Sequence, residues 1–369
     1  MSEGNPQTSW SILVEAGHHP RRAIPVSLPM PIDDASSLGP PLLVREGRQR
    51  PIPCQWDVSG RDVRAVWLID SMRQGDHCRY QLSIGERKRQ SPARMHIEKS
   101  PAGWTAFDEE LRVADYLAPV RGVPRLTLYG PAGQLATLQQ VAMPRWFEKG
   151  SRARGTIEGE RSLLRVQASP VSSANGPVFS SLRTGYDYID PRDRKIIAET
   201  TQIRFHIADR GIRVMDFFVH WTASAEGLTL IDPNPEADQR LPALRVQMTA
   251  PIGEEIMNDA RRRGVWEVLD RVASGIQIHQ SGAKLGLLAR SSTLGFPPVW
   301  EMGDDSTLSI VPRLTEAHWL GAPIRLAIGE SWSMSYRIVL SPAVSESADD
   351  LTSFDVEPSV SICAGESSP

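Results

Sequence analysis

Four side chains in the second half of the sequence have the chemistry for proton transfer: His206, Asp216, His220 and Asp232. Histidine titrates near neutral pH, and a carboxylate beside it can orient the ring or share its proton, so a cluster of this kind could serve as general acid and base. Asp216 and His220 are four apart, and in an extended strand residues two or four apart share a face. Arg204 and His206 likewise share a face, opposite Ile203, Phe205 and Ile207. A hairpin between these two stretches would bring His206 and His220 to one sheet face. Asp187, Asp232 and Arg245 could then complete a polar concavity. The competing reading is that these groups only hydrogen-bond along a solvent-facing sheet.

Other patterns carry less chemistry. His18-His19 are adjacent, and adjacent side chains in a strand point to opposite faces, which opposes chelation of one ion. With Arg21 and Arg22 they form a basic cluster that reads as a solvated loop. The stretch Asp232-Pro233-Asn234-Pro235-Glu236 is a rigid acidic turn with oxygen ligands for a cation, or a plain connection. No glycine-rich phosphate cradle and no Gly-x-Ser-x-Gly elbow occurs, and no metal-ligand spacing stands out, so no cofactor and no metal are expected. Ten tryptophans are present, and Trp104, Trp146, Trp300 and Trp319 fall in or beside expected loops. Aromatic rings there suit stacking on sugars, although core packing is the commoner fate of a tryptophan.

The elements that must position these residues are strands. Residues 201–209 and 212–222 alternate with period two, the second with Met215, Phe217, Val219 and Trp221 on one face. Asp209-Arg210-Gly211 between them has hairpin-turn chemistry. Ile324, Leu326 and Ile328, then Trp332 to Leu340, suggest a second hairpin. Short runs at 65–70, 79–84, 126–129 and 162–168, bounded by turn residues, continue the pattern. Helical spacing appears only across 254–273, broken by Gly264, where one short helix or a buried strand would fit. The expected fold class is all-β: an antiparallel β-sandwich main domain over 93–343 with a smaller N-terminal β-domain over 8–92. Within the latter, the proline-rich stretch 25–53 reads as long loops. The Ser/Asp/Glu-rich segment 344–369 reads as a disordered tail.

The 369 residues are 23% charged and 40% hydrophobic, with net charge -3. The pI is about 6.3 and the mean hydropathy -0.28. No global field steers the chain to nucleic acid or anionic lipid, and no apolar run approaches the roughly 20 residues of a membrane-spanning helix. No nucleic-acid or membrane partner is expected. The polar start lacks a signal peptide's pattern, which implies a cytoplasmic location; export would require an N-terminus extending upstream. Three widely spaced cysteines, Cys54, Cys78 and Cys363, fit free thiols, with a Cys54–Cys78 bridge as the exported alternative.

Short pieces spread over about 10–342 resemble a family of soluble bacterial proteins labelled "methane oxygenase PmoA". They include Ser9-Trp10, Val14 to Gly17, Arg22 and Pro25-Val26-Ser27, similar to an N-terminal module often fused to that family. In the main body they are Tyr129 to Gly133, Gly176-Pro177-Val178, Leu182-Arg183-Thr184, Asp216-Phe217, Trp221-Thr222-Ala223, Asp232 and Leu244-Arg245-Val246. Gly282 to Gly286, Pro297-Pro298-x-Trp300, Gly329-Glu330 and Tyr336-Arg337 complete the series. A true membrane methane monooxygenase subunit is a helical bundle, which this chain cannot form. The resemblance instead implies a β-sandwich and a carbohydrate-related role, with Arg183, Asp187, Arg245 and Trp300 as ligand-binding candidates. The family's Asp-His-Pro-His-His-Arg-Gly segment is replaced by Val141 to Gly150, which has no histidine, and Phe296 stands where a second family histidine would fall. The resemblance therefore implies a divergent, non-catalytic member that binds a carbohydrate or small polar ligand. The rival readings are an active carbohydrate-processing lyase, hydrolase or epimerase using His206, His220, Asp216 and Asp232, and a structural or assembly module.

Overall fold

The computed structural model describes residues 9–32, 38–59, 62–85, 94–139, 163–207, 211–225, 228–229, 244–253, 256–258, 260–264, 268–269, 271–280, 282–292, 297–311, 325–343, 352–355 and 358–363. Among these residues the fold is strand throughout, apart from isolated turns of helix.

The N-terminal unit contains β1 (Ser9–Glu15), β2 (Arg21–Pro29), β3 (Pro41–Arg45), β4 (Pro51–Ile52), β5 (Cys54–Ser59), β6 (Asp62–Met72) and β7 (His77–Ile84). The main body follows with β8 (Met95–Ser100), β9 (Gly103–Asp108), β10 (Leu111–Leu117), β11 (Arg125–Gly130), β12 (Gly133–Gln139), β13 (Leu164–Asn175), β14 (Phe179–Ile189), β15 (Lys195–Ile207) and β16 (Arg213–Ala223). It continues through β17 (Leu228–Thr229), β18 (Leu244–Met248), β19 (Ile256–Asn258), β20 (Arg271–Val272), β21 (Gly275–Gln280), β22 (Ala283–Ser292), β23 (Val299–Asp304), β24 (Thr307–Val311), β25 (Arg325–Leu326) and β26 (Ser331–Pro342). One helical turn, α1 (Thr352–Asp355), precedes β27 (Ser359–Ile362).

The main body is an antiparallel sandwich. One sheet runs β13-β14-β15-β16-β26-β22-β21-β19, and the other runs β20-β23-β24-β18-β12-β11-β10-β9-β8. The period-two pattern decides what lies between them. Ile203, Phe205, Met215, Phe217, Val219, Trp221, Met334 and Ile338 meet Leu126, Leu128, Leu138, Val246 and Leu308 in one continuous core. Trp221 and Trp332, opposite each other on β16 and β26, stack with ring centroids 5.2 Å apart. Each fully buried side chain of this kind contributes about 1.5–3 kcal/mol of transfer free energy. The alternate residues of the same strands, Gln202, Arg204, His206, Asp216, Phe218 and Arg337, necessarily face outward.

The small unit packs a five-stranded sheet, β27-β1-β7-β3-β4, on a three-stranded one, β2-β6-β5. Val63, Ala65, Trp67 and Ile69 of β6 fill its core. The other face of β6 turns toward the main body, where Val66 and Leu68 meet Val178 and Phe179. Gln55 Oε1 accepts hydrogen bonds from the Val178 and Phe179 backbone N–H groups at 3.3 Å each. A β-carbon at Gly176 would lie 2.1 Å from that oxygen, so a larger residue there would have to push the Gln55 side chain out of these bonds. The three-stranded sheet thus roofs the outer face of the main sheet.

Several expectations need correction. The stretch 25–53 is not merely looped, since β2 runs through Pro25 to Pro29 and β3 and β4 follow. Pro25 and Pro29 are tolerated because β2 is an edge strand with an unpaired side. Residues 324–340 are not a hairpin: β25 pairs with β17, and β26 pairs with β16 and β22. Across 254–273 both alternatives have a part among the described residues: β19 is a buried strand, and Val268, whose N–H donates to the Gly264 carbonyl at 3.2 Å, is helical. The disordered tail fails for 352–355 and 358–363. Phe354 is fully buried, and β27 pairs with β1 in the register Ile12↔Ile362 and Val14↔Val360. A few apolar residues in a polar segment suffice when a sheet edge is there to receive them. The expected boundary between residues 92 and 93 lies outside the described residues.

Cys54, Cys78 and Cys363 are free thiols. Burial pushes the Cys54 thiol up to about 12, so almost no thiolate forms at pH 8. A disulfide-exchange reagent at pH 8 should leave Cys54 unmodified in the folded protein and label it only after denaturation. Peptide mapping of Cys54 labelled under native conditions would contradict this placement.

Candidate functional site

The seam between the two β units opens into a cleft of about 550 Å³. Its floor is the outer face of the main sheet: Gln202, Arg204 and His206 on β15, Asp216 and Phe218 on β16, Arg337 on β26 and Arg290 on β22. Its roof is the three-stranded sheet, with Pro25, Ser27, Pro29, Asp57, Arg64 and Val66 facing inward.

Register explains the grouping. Arg204 on β15 lies opposite Asp216 on β16, and Asp216 lies opposite Arg337 on β26. Directly opposed residues share a face and approach to about 5 Å. Arg337 Nε and Nη2 both donate to Asp216, at 2.6 and 2.9 Å, in a bidentate pair. Its remaining nitrogen, Nη1, donates to the backbone carbonyl of Phe354 at 2.9 Å. Arg290 reaches the same carboxylate more distantly, Nη1 standing 4.0 Å from Asp216 Oδ1. It does so from a register shift between Ala289 and Ser291, the kind of bulge that re-aims a side chain.

His206 is 1% exposed, with Nε2 3.3 Å from Asp216 Oδ2. That contact is electrostatic, because neither ring nitrogen makes an aligned hydrogen bond. Burial holds the imidazole below its ordinary pKa of 6.5, Arg337 and Arg204 add to the depression, and Asp216 offsets part of it. The ring is therefore neutral at pH 7. Asp216 shows the reverse balance. Burial favours its protonated form, but Arg337 and His206 outweigh burial and hold the carboxyl far below the usual range. Arg204 lies between the rings of Phe179 and Phe218, 5.1 and 5.4 Å from their centroids. Its guanidinium also pairs with Asp57 of the roof at 2.6 Å, tying the two walls together.

Of the residues singled out from the sequence, His206 and Asp216 come together here. His220 does not join them. It shares their face, but it lies opposite Thr200 whereas His206 lies opposite Val214, a separation of roughly 20 Å at strand rise, and it is exposed. Asp187 is one strand over, paired with Lys195 Nζ at 2.7 Å. Arg183 is exposed opposite Gln202, beside the cleft. Arg245 is exposed on the other sheet, alternating with the core residues Leu244 and Val246, so it faces away from the sandwich and from the cleft. Trp300 is a core residue whose indole N–H donates to the Ala273 carbonyl at 2.8 Å, not a loop platform. Asp232, Phe296 and the 141–150 segment lie outside the described residues, as do Trp146 and Trp319. Trp104 packs against the main core.

Arg204, Arg337, Arg290 and Asp57 were not legible as site residues. For Arg204 a signal existed, since its face-sharing with His206 follows from the alternation of β15. A second polar cluster was also hidden. Inside the sandwich, Glu199 pairs with Arg165 and accepts hydrogen bonds from the Tyr188 hydroxyl at 2.6 Å and the Trp221 indole N–H at 3.0 Å. It belongs to the core and does not line the cleft.

No protein-family model matches the sequence, and no curated protein matches it. Among solved structures, an α-mannosidase from Enterococcus faecalis V583 superposes with a TM-score of 0.51 at 11% identity, covering 98% of this chain and 46% of that one. A protein in glycosyl hydrolase family 38 from Enterococcus faecalis gives a TM-score of 0.45 at 11% identity, covering 96% of this chain and 47% of that one. The chain thus spans about half the length of the solved structures it matches. At this identity the α-mannosidase likeness establishes the fold alone: an all-β chain built on an antiparallel sandwich.

The buried cluster makes stability depend on pH and on Arg337. Arg337→Met should cost about 3–5 kcal/mol in urea denaturation, because it strands a buried carboxylate. Asp216, held low, supplies stability that is complete above its unfolded pKa and lost only as pH falls through its lower folded value. His206, also held low, supplies stability that is complete above pH 6.5 and declines as pH falls below it. Denaturation midpoints measured from pH 7 to 5 should therefore fall for the wild type and fall less steeply for His206→Gln. Identical slopes would remove His206 as the cause.

Proposed function

We propose that the chain is a divergent member of the PmoA-like family that holds a small polar, carbohydrate-like ligand in the cleft between its two β units. The observation that carries the reading is the cleft itself. Its volume suits one or two sugar rings. It combines planar hydrogen-bonding groups (Gln202, Arg204, Arg290, Asp57) with the apolar surfaces of Phe218 and Met30, the pairing of features that polyhydroxylated rings require. The sandwich likeness to an α-mannosidase adds a carbohydrate context for the fold.

Binding without acid–base catalysis follows from how the titratable groups are occupied. Asp216 keeps no proton to donate at neutral pH, and both its oxygens are engaged by Arg337. Glycoside hydrolysis ordinarily needs one carboxyl raised to act as acid beside a second carboxylate. An enzymatic reading has one observation in its favour, the adjacency of neutral His206 and Asp216, which resembles a base with its orienting carboxylate. It asks His206 to act from a buried position, without His220.

Calorimetric titration with mannose, methyl α-mannoside, glucuronate and short mannose oligomers at millimolar concentration tests the reading. At least one should bind, and Arg204→Ala should weaken that binding by about tenfold or more, the worth of a charged hydrogen bond. No heat and no thermal stabilisation from any of them would defeat the carbohydrate assignment. Turnover of an aryl glycoside abolished by His206→Gln would favour the enzymatic reading instead.

A further inference from the structure

The C-terminal segment touches both walls of the cleft, and no feature of the sandwich requires it to. On the floor side, Phe354 is fully buried among Ile212, Val214, Leu288 and Val339. The Phe354 carbonyl takes the one Arg337 nitrogen that Asp216 does not use. On the roof side, α1 lies against β2, the strand that presents Pro25, Ser27 and Pro29 to the cleft. A few residues later β27 adds to the edge of β1 over four paired positions.

We propose that this segment, Thr352–Asp355 with Ser359–Ile362, is a latch that sets the opening of the cleft. Docked, it locks the guanidinium of Arg337 from behind and holds the N-terminal unit down over Asp216 and His206. Undocked, Arg337 loses its third anchor and β2 loses its support, so water reaches the His206–Asp216 pair and the cleft widens. Edge strands and short terminal elements are held by few contacts and sit at the low end of local stability, which makes them suited to such opening. The inference rests on the cleft being the ligand site, and it makes Phe354 a positioning residue that touches no ligand.

Hydrogen exchange and histidine-ring NMR on the full chain test this without any ligand. In Phe354→Ala, backbone amides of Asp216, Arg337 and Val26 should exchange at least tenfold faster, while those of Leu126 and Leu128 in the far sheet stay unchanged. The His206 ring should titrate closer to its ordinary 6.5 as it gains solvent, and Phe354→Leu should restore both readouts. Ser361→Pro, which removes a ladder N–H opposite Leu13, detaches β27 without touching Phe354 and should reproduce the effect. If Phe354→Ala loses protection in every sheet, Ser361→Pro is the variant that decides. Fast exchange confined to β27 and β1, with the cleft amides and the His206 titration unchanged, would overturn the latch. Methyl α-mannoside titration of the same variants separates the two proposals. Absence of sugar binding in the wild type counts against the ligand assignment, whereas unchanged exchange counts against the latch alone.

Discussion

The bidentate pair between Asp216 and Arg337 is the interaction around which the roofed face of the main sheet is arranged. Taking two charges out of water costs several kcal/mol each, and mutual attraction offsets this only when geometry is good and the leftover donors are satisfied. Here the strand register supplies the geometry, because the two residues lie directly opposite on adjacent strands. The leftover donor goes to the Phe354 carbonyl. Once that pair is fixed, the neighbouring choices are narrow. The imidazole of His206 must stay neutral beside so many cations, and Arg204 must take its carboxylate from the roof, which it does at Asp57.

The fold accommodates this arrangement by separating the two faces of one sheet. The inner face is a continuous apolar layer in which the buried pair of Arg165 with Glu199 is closed by tyrosine, tryptophan and threonine donors. The outer face would ordinarily meet solvent, as it still does at His220. Over Asp216 it is roofed by a second β unit, so polar residues there are buried without being part of a core. The result is a cleft between two separately packed units, polar on its walls.

The C-terminal segment shows how little apolar content is needed when a receptor exists. Phe354, Val360 and Ile362 are its main apolar contributions to the clusters it joins. In isolation the segment could not offset its ordering entropy. Docked into a preformed pocket and onto an unpaired strand edge, it gains main-chain hydrogen bonds and burial together.

The sequence by itself determined the strand content, the hairpin of β15 and β16, and which side chains of those strands face the same way. Those properties are local: alternation with period two and turn chemistry act within a few residues. It therefore placed Arg204 with His206, and Asp216 with His220, on common faces. Tertiary structure alone decided which of these residues meet. Register along β15 and β16 put Asp216 beside His206 and carried His220 to the far end. The pairing of β16 with β26 brought Arg337 from more than a hundred residues away. Docking of the small unit turned a stretch of open sheet into a cleft, and the same long-range packing drew Trp300 into the core and left Arg245 on the opposite surface. Contacts between residues so distant in the chain leave no periodic trace in it, which is why the chemistry of single residues was legible and their assembly was not.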